Sequence, residues 1–190
     1  MPGSYEWGLF LHLVSVVGLV SSTAVLVFAI SMMRRERTVA GLRPWARGAS
    51  VADAISGVAA VGLALTGIWL VEDVDFDWGS GWINVSLIAL ILVSIAAVTF
   101  VTRKLRAISR AIDETPDGAI PQVLAAQITD PVLFAVAHTI ATVTLGIIWN
   151  MTTKPGDAQA GIVIVIAALV GVASAIPMAQ RQQSILEGKQ

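Results

Sequence analysis

The chain contains no cysteine and few charged residues. The absence of cysteine excludes disulfide bonds, thiol catalysis, thiolate metal sites and iron–sulfur clusters. Charged residues make up 13% of the 190 residues, whereas a soluble domain carries about 25%. So small a fraction does not cover a water-facing surface, and 56% of the residues are hydrophobic. The sequence therefore predicts that lipid surrounds most of the chain. The net charge of −1 does not indicate nucleic-acid binding.

Long apolar runs predict five transmembrane helices. A membrane-spanning helix needs about 20 consecutive apolar residues. Five segments meet this requirement, namely residues 7–33, 51–71, 83–102, 131–151 and 160–179. We expect an all-α polytopic membrane helix bundle that forms a single transmembrane domain, residues 1–190, with its longer connections at residues 34–50 and 103–130.

Several residues predict where these helices begin and end. Ser50 and Asp53 form a Ser-x-x-Asp capping box at the start of the second span. The Asp130 carboxylate can accept from open backbone N–H groups, and Pro131 at the first turn needs no donor, so the fourth span is expected to begin there. Pro177 is expected to kink or end the fifth span.

The connection after the third span is expected to contain further helix. Residues 103–112 read as an extension of the third span beyond the membrane, and residues 115–118 (Thr-Pro-Asp-Gly) as a turn. Residues 122–129 are expected to form a short helix on the membrane surface.

The distribution of lysine and arginine predicts the orientation, because cytoplasmic loops collect these residues. Eleven fall on one side of the five spans and only Lys154 on the other. The eleven are Arg34, Arg35, Arg37, Arg43, Arg47, Arg103, Lys104, Arg106, Arg110, Arg181 and Lys189. Five tryptophans lie at the Lys154 side, where amphipathic rings prefer the interface: Trp7, Trp69, Trp78, Trp82 and Trp149. We therefore expect an outside N-terminus and a cytoplasmic C-terminus.

Small residues at helical spacing predict close approach between helices. They lie on the first, second and fifth spans: Gly18 and Ser22; Ser56, Ala60 and Ala64; Gly171 and Ala175. Packing within the bundle and homodimerisation through one of these stripes are both consistent with the pattern.

The two histidines are the main candidates for a cofactor-binding site. An ionisable group inside a bilayer is energetically costly, so its presence there suggests a function. His12 shares a face with residues 15, 19 and 22, and His138 with residues 142, 146 and 149. One hypothesis is bis-histidine ligation of haem b. The two positions differ, however, by about 10 Å in depth within a core of about 30 Å. The alternatives are one histidine as a single haem or copper ligand, and a histidine hydrogen-bonded to a serine or threonine across helices.

Asp53 and a few amide or hydroxyl side chains are further intramembrane polar candidates. Asp53 is interpreted either as a proton or cation relay with His138 or as a cap of the second span. Asn84, Asn150 and Thr152 lie at the edge of the outer leaflet. They are expected either to satisfy exposed backbone groups or to face His12.

An acidic segment follows the second span, with carboxylates at residues 72, 73, 75 and 77. Alternating carboxylates suggest a hard-cation loop. The match to a calcium loop is poor, because Trp78 stands where glycine is needed and Asn84 where the bidentate glutamate belongs.

Two motifs carry a resemblance to a known family. They are Leu9-Phe10-Leu11-His12-Leu13-Val14 in the first span and Trp149-Asn150-Met151-Thr152-Thr153-Lys154-Pro155-Gly156 at the end of the fourth. With them, residues 5–156 resemble small bacterial predicted integral membrane proteins of unknown function. That group is loosely similar to the membrane domain of the copper-resistance protein CopD. The resemblance implies a bacterial plasma membrane, a first helix that bears a histidine, and copper or haem handling as a candidate role.

The sequence is consistent with three functions. The first is a non-enzymatic accessory or partner-binding membrane subunit, in contact with the lipid bilayer and with a membrane-protein partner or a second copy of itself. The second is a haem- or copper-handling protein that uses His12 or His138. The third is a small transporter that uses Asp53 and His138. No phosphate-binding loop, nucleophile elbow or zinc-protease motif is present in the sequence.

Overall fold

The computed structural model describes residues 3–174 and residue 176, and almost all of this part is helical. The helices are α1 (Ser4–Met33), α2 (Val39–Asp73), α3 (Gly81–Ala96), α4 (Arg103–Glu114), α5 (Gln122–Ile128), α6 (Pro131–Thr153) and α7 (Asp157–Ala173). A π-helical segment, Ala97–Thr102, joins α3 to α4 without a break. The described residues contain no β-strand, only an isolated bridge between Thr38 and Ala119.

Within the described residues, four stretches are long and apolar enough to cross a membrane: Ser4–Met33, Val39–Asp73, Gly81–Glu114 and Gln122–Thr153. A shorter apolar helix, α7, follows with 17 residues. The prediction of an all-α membrane helix bundle is therefore confirmed. The end of the fifth predicted span, including Pro177 and Ala175, lies outside the described residues, as do Arg181 and Lys189.

The start of α2 corrects the predicted boundary. The helix begins at Val39 rather than at residue 51, and its cap is Thr38, whose side chain accepts from the Gly41 backbone N–H. Ser50 therefore lies inside the helix, where its hydroxyl donates to the Ala46 carbonyl at 3.0 Å. The predicted capping box of Ser50 and Asp53, and with it the capping role of Asp53, was wrong.

The helix α2 starts early because residues 39–50 form an amphipathic extension of it. The arginines in this stretch are typical of a loop, which is why the sequence predicted a connection there. The side chains that the extension buries recur at helical spacing instead, at Val39, Leu42, Ala46 and Ala49. Most of the predicted connection 34–50 is therefore helix.

Other boundaries agree with the prediction. The extension of the third span is helical as α4, and residues 122–128 form the short helix α5. Asp130 caps α6, because its Oδ1 accepts from the Val132 backbone N–H at 2.8 Å. The other carboxylate oxygen forms an ion pair with Lys104, which ties α6 to α4.

The α1 and α2 stripes of small residues pack within the bundle. The Ser22 and Thr23 hydroxyls lie 3.1 and 3.2 Å from the Ser56 hydroxyl. A Cβ added at Gly18 would lie 3.4 Å from the Ala59 Cβ. Of the two predicted alternatives, packing within the bundle is thus observed for the α1 and α2 stripes, and homodimerisation stays a prediction.

The bundle has two chemically distinct ends. At the tryptophan-rich end (Trp7, Trp69, Trp78, Trp82, Trp149), the start of α1 meets the end of α2, where the Ser4 hydroxyl donates to Asp73 at 2.6 Å. At the arginine-rich end (residues 34–47 and 103–110), Arg43 pairs with Asp117 at 2.5 Å. These five tryptophans and the arginines of residues 34–47 and 103–110 therefore lie at opposite ends of the bundle, and Trp45, which donates to Glu36, lies at the arginine-rich end.

Candidate functional site

A cavity of about 340 Å³ lies in the tryptophan-rich half of the bundle, between α1, α2, α3 and α6. Its walls are mainly apolar side chains, and the polar groups in them include His12, Ser86 and Thr144. Ligand pockets span about 300–1,000 Å³ and combine apolar walls with a few convergent polar groups. This cavity has that size and that composition.

His12 is held on α1 by a hydrogen bond to α2. Its Nδ1 lies 3.1 Å from the Thr66 hydroxyl oxygen, and that hydroxyl donates its own hydrogen to the Gly62 carbonyl at 2.6 Å. Since a hydroxyl has a single hydrogen, Thr66 must accept from His12, which assigns the proton of the neutral ring to Nδ1. The lone pair of Nε2 then has no hydrogen-bond partner within the described residues.

Two glycines of α2 make room for this arrangement. A Cβ added at Gly67 would lie 3.4 Å from Cε1 of His12, and one added at Gly62 would lie 2.7 Å from the Ser15 hydroxyl oxygen. The absence of side chains at these positions allows the imidazole edge that carries Nδ1 and Cε1 to lie against α2. Nε2, which has no hydrogen-bond partner among the described residues, is the basic atom available to a ligand.

Ser86 of α3 supplies a second polar group. Its side chain is 1% exposed, and its hydroxyl oxygen has no hydrogen-bond partner in the part of the chain that the structure describes. Thr144 of α6 differs, because its hydroxyl donates to the Ile140 carbonyl at 2.8 Å and keeps only lone pairs for the cavity. Of these two buried hydroxyls, Ser86 is therefore the one that is able to donate.

Lys154 and two aromatic rings lie at the tryptophan-rich end of the cavity. Lys154 has left-handed backbone geometry (φ 47°) at the end of α6. Its Nζ lies 4.6 Å from the centre of the Phe76 ring and 5.5 Å from that of Trp82. These cation–π contacts hold the loop after α2 and the start of α3 against the end of α6.

His138 lies elsewhere in the bundle. Its Nδ1 donates to the Phe134 carbonyl of its own helix at 2.9 Å, and the two ring centres are 3.7 Å apart. It precedes Thr144 by six residues, which is about 9 Å along the helix. The structure thus places His12 at the cavity and His138 near the arginine-rich end. Trp149, predicted on the His138 face, is 57% exposed.

Asp53 faces a different neighbourhood from the predicted one. The side chains that act on it are Thr102 of the π-helical segment and Arg106 of α4. His138 contacts Phe134 instead, and the structure does not bring Asp53 and His138 together through any contact of the described residues.

Two asparagines satisfy backbone groups at the tryptophan-rich end, which is one of the two roles predicted for them. Asn150 is fully buried, and its amide donates to the Ala160 carbonyl in the first turn of α7 at 3.2 Å. The Asn84 amide donates to the Trp78 carbonyl at 2.6 Å. The Thr152 hydroxyl bonds carbonyls of its own helix, and this residue lines the cavity.

Three carboxylates of the acidic segment at the end of α2 are hydrogen-bonded to the protein. The carboxylates accept from Ser4 (Asp73), the Trp78 indole (Glu72) and the Gly79 backbone N–H (Asp77). Residues 3–174 and 176 contain no group of three or more histidine or carboxylate side chains able to hold a metal ion.

The sequence identified His12 but missed Thr66 and Ser86. Ser86 is the one hydroxyl residue between residues 83 and 93, and this isolation in an apolar run could have identified it as a candidate. That its hydroxyl is left unpaired depends on how α3 packs against α6.

Comparison with known proteins gives a family. Residues 9–155 match the family described as "Predicted integral membrane protein (DUF2269)". No curated protein and no solved structure matches the chain. The matched region contains all four long apolar stretches except for their outermost residues and includes the cavity residues His12, Ser86 and Thr144. Because the match covers well over half of its length, this chain belongs to the DUF2269 family of predicted integral membrane proteins.

Proposed function

We propose that this protein is a non-enzymatic membrane protein that binds a small apolar molecule bearing a hydroxyl group in the cavity beside His12. The observation that carries the proposal is the Ser86 hydroxyl, which is buried in an apolar cavity without a partner. Leaving such a group unpaired destabilises a protein by about 1–3 kcal/mol. A bound polar group removes this penalty, so the cavity favours an occupant.

The two polar groups define the chemistry of the occupant. Nε2 of His12 only accepts, whereas the Ser86 hydroxyl both donates and accepts. A ligand hydroxyl satisfies both, because it donates to His12 and accepts from Ser86. A carbonyl pairs with Ser86 alone. The remaining walls are apolar apart from Thr144 and the groups at the tryptophan-rich end. These walls favour a ligand whose remaining part is apolar.

Mass spectrometry of co-purified molecules tests this function. The protein is extracted in polymer nanodiscs with its surrounding lipid, and bound molecules are compared between the natural chain, Ser86→Ala and Ser94→Ala. Ser94 is the matched control on the same helix, because its hydroxyl already donates to the Leu90 carbonyl. We expect a hydroxyl-bearing apolar molecule that is depleted only by Ser86→Ala. The same molecules in equal amounts in all three would contradict the proposal.

A haem- or copper-handling role is the second candidate, and the assigned tautomer of His12 favours it. Histidine ligands of metals usually donate their other N–H to a neighbouring group, as Nδ1 does to Thr66. His12 would then supply a single ligand through Nε2. A visible haem band or bound copper lost in His12→Ala but kept in His138→Ala supports this role, and a colourless, metal-free protein removes it.

We further infer that the membrane is a bacterial plasma membrane and that the arginine-rich end is cytoplasmic. The distribution of lysine and arginine supports this orientation. The chain has no cysteine, so single cysteines at the exposed positions Arg110 and Gln159 report on it directly. An impermeant maleimide should label Gln159→Cys in intact cells and Arg110→Cys only after lysis; the reverse pattern overturns the orientation. A membrane-protein partner or a homo-oligomer stays a prediction.

A further inference from the structure

A second cavity, of about 320 Å³, lies at the arginine-rich end of the bundle. The residues after α1, including Arg34, Glu36 and Arg37, form one side of it, and Ile120 and Ile128 belong to the other. It is separate from the cavity beside His12 and shares no lining residue with it.

Arg34 is the unusual group in this cavity. Its Nη1 is buried and has no hydrogen-bond partner among the described residues. The guanidinium lies over the Phe134 ring, with Cζ 5.2 Å from the ring centre. Burial lowers the pKa of Arg34 below its ordinary value, but a guanidinium stays protonated at neutral pH. A half-buried positive charge is therefore left with an unused, buried donor.

Three carboxylates of this end have other partners. Glu36 accepts from the Trp45 indole at 3.0 Å, which turns it toward the start of α2. Asp130 pairs with Lys104 and caps α6, and Asp117 pairs with Arg43. No ion pair of the described residues includes Arg34.

We propose that Arg34 binds a phosphate group in this cavity, with Arg37 adding positive charge. The planar fork of a guanidinium matches phosphate oxygens. Arg34 directly follows the last residue of α1, the first apolar span. This is the depth at which phospholipid headgroups lie. The phosphate belongs either to an anionic phospholipid headgroup or to a small soluble phosphate, and the apolar Ile120 and Ile128 in the wall suit the first source.

Thermal unfolding of the full chain in detergent tests the proposal. The probes are inorganic phosphate, dioctanoyl phosphatidylglycerol and, as a headgroup without net charge, dioctanoyl phosphatidylcholine, each compared with chloride at equal ionic strength. A ligand that binds only the folded state raises Tm in proportion to its occupancy. A rise with both inorganic phosphate and phosphatidylglycerol identifies a general phosphate site, and a rise with phosphatidylglycerol alone identifies a headgroup site.

The variants are Arg34→Gln, Arg34→Lys and the control Arg47→Gln, which removes an exposed arginine from the same end. Charged hydrogen bonds contribute about 1.5–3 kcal/mol, so we expect about tenfold or more weaker binding in Arg34→Gln and no change in Arg47→Gln. Arg34→Lys, which keeps the charge without the fork, should bind with intermediate strength. No rise in Tm of the natural chain with either phosphate probe, or an equal rise in all variants, overturns the proposal.

Discussion

His12 on α1 and Thr66 on α2 form a hydrogen bond of 3.1 Å that crosses between two helices inside the membrane. Because the Thr66 hydroxyl donates its hydrogen to Gly62, the bond assigns the imidazole proton to Nδ1. The residue pair therefore determines which nitrogen of His12 is available in the cavity.

Nitrogen NMR of histidine tests the assigned tautomer. The chain has only two histidines, so ¹⁵N-histidine labelling gives two ring systems. We expect a protonated Nδ1 and a bare Nε2 for His12 in the natural chain. In Thr66→Val the acceptor is lost, and the His12 ring should become a mixture of tautomers while His138, which contacts Phe134, does not change. A bare Nδ1 on His12 in the natural chain would falsify the assignment.

Thr66→Val should also lower stability. Removing one partner of an interhelical hydrogen bond in a membrane protein costs about 0.6–2 kcal/mol. Thr144→Val is the matched control at the cavity, because the Thr144 hydroxyl bonds only its own helix. Unfolding measurements should show the larger loss for Thr66→Val, and an equal loss in both variants would mean that the contact to His12 adds nothing.

Two glycines of α7 should respond oppositely to a methyl group. A Cβ added at Gly171 would overlap the backbone of Thr139 on α6, whereas one added at Gly161 meets nothing within 4 Å. Gly171→Ala should therefore destabilise the chain by about 1–3 kcal/mol through overpacking. Gly161→Ala should stabilise it by roughly 0.5–1 kcal/mol, since glycine is a poor helix former. Equal effects in thermal unfolding would mean that α7 does not pack on α6 as described.

Asp130 has two roles that substitutions can separate. Its Oδ1 caps α6 and its Oδ2 pairs with Lys104. Asp130→Ser keeps a capping oxygen and removes the charge, whereas Asp130→Ala removes both. Loss of a cap costs about 0.5–2 kcal/mol, and a half-exposed ion pair contributes about 0–1 kcal/mol. We expect Asp130→Ala to destabilise more than Asp130→Ser in unfolding measurements. Equal losses in the two variants would show that the ion pair dominates and that the cap adds nothing.

Much of the fold was predictable because an apolar run of about 20 residues in lipid satisfies its backbone N–H and C=O groups by forming a helix. The cap at Asp130 was predictable for a local reason, since a carboxylate before proline at a helix start serves backbone groups within three residues. The predicted start of α2 is wrong because charged residues such as Arg43 and Arg47 are typical of loops outside the membrane. The apolar residues at positions 39, 42, 46 and 49 recur at helical spacing, and this spacing indicates a helix in spite of the two arginines.

The site was predictable only in part, because a polar residue in a span can be recognised but its partner cannot. His12 was identified by its rarity within an apolar run. Thr66 and Ser86 were not, since hydroxyls in membrane helices commonly bond the carbonyl four residues earlier. Thr144 does this and Ser86 does not, and the difference arises from packing between helices that are distant in the sequence.

Binding of 2-naphthol and of naphthalene tests the central claim most directly, because the two differ by one hydroxyl. Each radiolabelled probe is titrated onto the natural chain, Ser86→Ala and Ser94→Ala in phospholipid nanodiscs, with empty nanodiscs subtracted. We predict that 2-naphthol binds the natural chain and Ser94→Ala about threefold to tenfold more tightly than naphthalene, and that this preference is smaller in Ser86→Ala, where only the contact to His12 is left. Equal affinity for both probes in the natural chain, or a preference that Ser86→Ala does not change, would contradict the claim.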